Sequence, residues 1–205
     1  MVVIFLEGIY FYWFSWIGWV LTTFFLKKSK ERTVVSFFIL LMVIVSDHTY
    51  HITEYAIHAP FVLLFFFSLV FMAMTKGLLL YYYLICSLII SIGYVCFHLF
   101  ELFDPIWLIF DRKWMLSFVI LYLILMLVKD PYHRLAVAMI GVVNGELLYS
   151  MILIKFFREI QIGNFVFLDA FAFIIFFVLI WNLLEKIAQS FEANIHKGKA
   201  RRVQR

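Results

Sequence analysis

A chain of 205 residues that is 66% apolar, 21% aromatic and only 15% charged cannot cover its surface with polar groups, since soluble domains carry about 25% charged residues. That excludes a water-soluble globular domain and makes lipid the solvent. The formal net charge of +4 comes from one basic loop and a basic tail, which implies membrane lipids as partners and no nucleic acid.

Backbone groups cannot go unpaired in hydrocarbon, so spans are helices or a closed barrel. The apolar runs here are continuous rather than alternating, which excludes the barrel. A helix needs roughly 20 apolar residues to cross a core of about 30 Å. Taken in order, runs that meet or approach this lie near 5–26, 33–52, 60–75, 78–100, 112–128, 135–155 and 165–185. The expected fold is all-α: a polytopic membrane bundle of about seven transmembrane helices over residues 1–185, followed by a basic tail over 186–205.

The first run contains no lysine or arginine before Lys27. It lacks the basic start of a cleavable signal and is too long for one, so it reads as an uncleaved span. The stretch from Pro60 to Phe100 would be roughly 60 Å long as one helix, twice the membrane. Thr75-Lys76-Gly77 is the turn that divides it, with Gly supplying the unusual backbone. Pro60 suits the first turn of a helix. Asp104-Pro105 closes the fourth run, and Asp130-Pro131 separates the fifth from the sixth. Cys86 and Cys96 share one run, about 15 Å apart, and read as packing residues.

Orientation follows from lysine and arginine. With the N-terminus outside and the C-terminus cytoplasmic, the inner segments hold Lys27, Lys28, Lys30, Arg32, Lys76, Lys129, Arg134, Lys186, Lys197, Lys199, Arg201, Arg202 and Arg205, which is 13 of the 17. Arg112, Lys113, Lys155 and Arg158 stay outside. The tail reads either as a contact with anionic headgroups or as a topology anchor with a frayed end.

Polar chemistry concentrates between Ser46 and His58. If the second helix continues through this stretch, Asp47, His51, Glu54 and His58 recur at spacings of four, three and four and share one face. His98, Glu101 and Asp104 repeat at three. The expected topology puts both sets at the outer surface, with Glu7 and Asp169 at a similar depth. Imidazole and carboxylate suit zinc, and His48, His51, His58, His98 and Glu101 are the candidate ligands. The same groups suit a proton relay, and a wet interfacial loop accounts for them more simply than either. No His-Glu-x-x-His and no Gly-x-Ser-x-Gly supports an enzyme, so no catalytic residue is assigned and zinc is the one cofactor considered.

Glu146 lies near the middle of the sixth run, beside Asn144. An ionised carboxylate at the bilayer centre costs about 2.5–3.5 kcal/mol on insertion scales. It is expected to face the bundle interior, either as a structural hydrogen-bonding group or as a proton-coupled transport site. The aromatics of the first run and Tyr81-Tyr82-Tyr83 read as packing and lipid-facing side chains.

The opening Glu7-Gly8-Ile9-Tyr10-Phe11-Tyr12-Trp13-Phe14-Ser15-Trp16, followed by Lys27-Lys28-Ser29-Lys30, resembles the YphA-type membrane proteins of endospore-forming Bacillota. Size and seven-span layout are similar over nearly the whole chain. The resemblance implies a small membrane protein linked to sporulation and spore envelope assembly. It would sit in the cell membrane or forespore membrane beside envelope-assembly membrane proteins. It supplies no catalytic residue and no ligand. The expectation is a non-enzymatic membrane protein, with a metal-dependent hydrolase or a small proton-coupled transporter as alternatives.

Overall fold

The computed structural model describes residues 7–52, 55–75, 77–104, 106, 108–156 and 160–203, apart from the side chains of Ile52 and 193–203. Glu54, Lys76, Pro105, Arg158 and Arg205 lie outside the described residues, as do the side chains of Lys197, Lys199, Arg201 and Arg202.

Among the described residues, seven α-helices appear where apolar runs were expected: α1 (Ile9–Val20), α2 (Lys30–Val45), α3 (Ala59–Ala73), α4 (Leu78–Phe103), α5 (Arg112–Leu127), α6 (Pro131–Leu153) and α7 (Phe165–Val203). A π-helical turn, Leu21–Phe25, continues α1. Among the described residues, three helical stretches are long and apolar enough to cross a membrane: Leu78–Phe103, Pro131–Leu153 and Phe165–Glu192. The outer faces are apolar. Leu78, Tyr81, Ile85, Leu88 and Ile92 of α4, for example, are all at least half exposed, a surface that suits lipid rather than water.

Local chemistry sets the helix ends. Ser29, Asp111 and Asp130 cap α2, α5 and α6 by accepting a backbone N–H, which satisfies donors the first turn leaves open. Pro60 and Pro131 occupy first turns. Gly77 starts α4 at φ 75°, a left-handed backbone that favours glycine. α7 runs for 39 residues, about 58 Å, and continues past residue 185 into the basic tail.

The second run is shorter than expected. Ser46 follows the last residue of α2, where its hydroxyl donates to Val43 O and pairs with Tyr12. Beyond it the chain forms two antiparallel strands, β1 (Thr49–Ile52) and β2 (Tyr55–His58), with Thr49 opposite His58 and His51 opposite Ala56. β2 then pairs in parallel with β3 (Ile160–Ile162). The helical face of Asp47, His51 and His58 therefore does not form. Thr49, Tyr50, Ile52, Tyr55 and Ile57 are β-branched or aromatic and fit a pleated surface, and that preference prevails over the helical spacing of the acids and histidines.

Among the described helices, α4 and α6 share the most extensive contact. A Cβ on Gly141 would lie 2.6 Å from Ile90, and one on Gly145 would lie 2.9 Å from Tyr94. Gly141-x-x-x-Gly145 is thus a small-residue seam that lets two membrane helices touch. Ser91 strengthens it, donating to Gly141 O at 2.8 Å and to Ser87 O at 2.9 Å. Ile90, Leu116, Ile120, Ile140, Leu168 and Ile174 fill the dry interior around this pair.

Candidate functional site

The seam between α4 and α6 places Tyr94 against Glu146. The phenol donates to Glu146 Oε2 at 2.7 Å. Gly163 N, just after β3, donates to Oε1 at 3.4 Å. Gly163 has φ 71°, and a Cβ there would meet Phe61 at 2.2 Å, so only glycine lets the backbone approach. Glu146 is 7% exposed and faces the bundle as expected. Its partner is Tyr94, not Asn144, which is half-buried and does not line the cavity beside the carboxyl. α6 begins at Pro131 and ends at Leu153, so Glu146 stands seven residues, about 10 Å, from the end of the helix nearer the sheet.

One turn beyond Tyr94 on α4, His98 stacks between Tyr94 and Tyr149, with ring centroids 4.5 and 4.9 Å away. Its Nδ1 lies 3.4 Å from Glu101 Oε2. Arg112, at the start of α5, donates to Glu101 Oε1 at 3.1 Å. His98 Nε2 is buried without a hydrogen-bond partner. Glu146, Tyr94, His98, Arg112 and Tyr149 border a cavity of about 400 Å³ closed by β3 and the start of α7. Asn164 also lines it while capping α7 through Phe167 N at 3.0 Å.

The candidate zinc ligands do not assemble. His98 and Glu101 meet on α4, whereas His48 and His51 are exposed at the hairpin and His58 is buried at its end. Among the described residues no three His, Cys, Asp or Glu side chains gather. The cause is the change from helix to hairpin, which replaces one shared face with paired strands. Burial, helped by the like charge of His51, lowers the pKa of His58 below its ordinary value.

Two further polar groups were not expected as sites and hold the bundle together. Asp169 is fully buried and accepts from Gly8 N (3.1 Å), Phe11 N (2.8 Å) and Lys113 Nζ (3.0 Å). It caps α1 from another helix and neutralises Lys113, which sits 4.7 Å from the Tyr10 ring centre. Glu7, by contrast, is exposed. At the opposite end Arg134 is buried, not a loop charge. It donates to Val128 O at 2.8 Å and Asn182 Oδ1 at 3.0 Å and pairs with Glu185. Each charge is matched and hydrogen-bonded, the condition under which burial is tolerated. Gly141-x-x-x-Gly145 carried an unread small-residue signal for a close helix pair; nothing local marked the pairing of Asp169 with α1 or of Arg134 with Asn182 and Glu185.

Chemically, the cavity offers a carboxyl, an imidazole and phenols near one end of the bundle. That set can exchange protons or bind a polar ligand. Among the described residues that line it are a serine, Ser150, and no cysteine or lysine.

Comparison with known proteins agrees with the membrane architecture. Residues 7–204 match the family described as YphA-like integral membrane protein. A relative from Bacillus subtilis (strain 168), described as uncharacterized protein YphA, is 32% identical over 165 residues, 80% of this chain and 82% of its own length. No solved structure matches. The chain belongs to the YphA-like integral membrane protein family.

Proposed function

We propose that this chain is a non-enzymatic, seven-span membrane protein that supports spore envelope assembly. It works from the cell membrane or forespore membrane by holding lipids and envelope-assembly proteins in place. The observation that carries this reading is family membership across residues 7–204. The N-terminus lies outside and the C-terminus in the cytoplasm, supported by 13 of 17 basic residues falling in the inner segments. α2, α3 and α5 have 15 or 16 residues, just under the usual minimum of about 17 for a span. α1 reaches that length with its π-helical turn. Local bilayer thinning accommodates such short helices. Deleting the gene in a spore-forming host tests the role. Heat-resistant spore counts should fall and recover on complementation; unchanged counts and a normal envelope would count against it.

The placement of Glu146 favours a second reading, a small proton-coupled transporter. Its carboxyl borders a polar cavity and is held by Tyr94, the kind of intramembrane acid that marks transport paths. Proton flux in liposomes, compared between wild type and Glu146→Gln, tests it. Zinc is not part of either reading, because its candidate ligands do not gather.

A further inference from the structure

The cavity beside Glu146, about 400 Å³, falls within the usual range of small-molecule sites, about 300–1,000 Å³. Its charges do not balance. Arg112 is already engaged by Glu101 at 3.1 Å. Glu101 itself does not line the cavity, and Glu146, when ionised, has no ion-pair partner among the described residues. In a neutral His98 ring, Glu101 beside Nδ1 selects the tautomer protonated there and leaves Nε2 as an acceptor. That acceptor is buried and unused, whereas buried polar atoms are normally satisfied. The phenol rings of Tyr94 and Tyr149 flank it, and aromatic faces attract cations. Ser150, Gln161 and Asn164 supply further polar wall.

We propose that this chamber binds a small molecule carrying a protonated amino group. The ammonium sits against Glu146 and the Tyr94–His98–Tyr149 wall, and His98 Nε2 supplies the unused acceptor. The rest of the ligand, where polar, meets Ser150, Gln161 and Asn164. A free carboxylate ligand fits poorly, because Glu146 repels it and Glu101 already occupies Arg112. This inference deepens the transport reading of the same chamber. Binding is measured in micelles and flux in liposomes, so binding without flux sinks only transport, and flux without amine binding sinks only the ligand assignment.

The test is calorimetric titration of the purified full chain with ethanolamine and putrescine hydrochlorides. Ethylene glycol and butanediol serve as counterparts with hydroxyl in place of ammonium. At least one amine should bind saturably and its uncharged counterpart should not. Glu146→Gln should weaken binding by about tenfold or more, the size of a lost charge-assisted hydrogen bond. Arg112→Gln should strengthen it severalfold by removing the competing cation. Arg112 is 37% exposed, so its variant is expected to fold even where Glu146→Gln does not. The proposal is overturned if neither amine binds, if the diols bind as well as the amines, if a folded Glu146→Gln binds undiminished, or if Arg112→Gln weakens binding.

Discussion

Glu146 shows how a carboxyl is accommodated in an apolar bundle: Tyr94 and Gly163 each donate to one oxygen. Glu146→Gln keeps an acceptor for Tyr94 but turns its NH2 toward Gly163 N–H, and should lower the thermal unfolding midpoint in detergent only slightly. Glu146→Leu strands a buried phenol and a backbone N–H, and should destabilise by about 1–3 kcal/mol. Equal losses in both variants would mean the ionised charge itself stabilises the fold. If Glu146 carries protons, the Gln variant should fold and fail in flux. His58 gives a separate prediction. Its folded pKa lies below the ordinary value of 6.5, first through burial and then through His51. Below that value the unfolded chain takes up a proton that the folded chain resists. The stability is therefore full above about pH 6.5 and declines as pH falls. Unfolding midpoints at pH 7.5 and pH 5.5 should differ in wild type and differ less in His58→Phe. An identical pH response in the two would remove His58 as the cause.

At the scale of elements, the α4–α6 seam positions the chamber. Gly145→Leu forces a side chain into Tyr94, which a Cβ alone would approach to 2.9 Å. Overpacking of this kind costs about 1–3 kcal/mol, and here it should also separate Tyr94 from Glu146. The variant should give a lower midpoint, and ethanolamine or putrescine binding should be lost with it. A Gly145→Ala variant should lie between. An unperturbed Gly145→Leu protein would mean that the two helices do not meet at this seam. The helices themselves were legible in the sequence, because apolar runs broken by Gly77, Asp104 and Asp130-Pro131 leave few alternatives. The hairpin was not read, although its alternating Thr, Tyr and Ile residues carried the signal. Asp47, His51, Glu54 and His58 match a helical period as well, and spacing alone could not choose.

For the whole molecule, tertiary pairings decide what local patterns leave open. Glu146 could be placed in the interior from its depth in an apolar run, but Tyr94 is 52 residues away. Asp169 meets the start of α1 from 158 and 161 residues away. No local pattern encodes such contacts. Among the described residues the candidate zinc ligands lie apart for the same reason, since a shared membrane depth does not bring groups together laterally. What the architecture does fix is that the ends of α4 and α6 and the starts of α5 and α7 share one end with the sheet, and the chamber lies there. If the basic residues set orientation, that end faces outside.

Cysteine labelling at Gln161 tests this most directly, because Gln161 is exposed on β3 and lines the chamber. The chain carries only Cys86 and Cys96, both free, and both are replaced by serine to clear the background. In intact cells, a membrane-impermeant maleimide should label Gln161→Cys without permeabilisation, and saturating ethanolamine or putrescine should slow that labelling. Labelling that requires permeabilised cells would place the chamber on the cytoplasmic side and contradict the orientation on which the account rests.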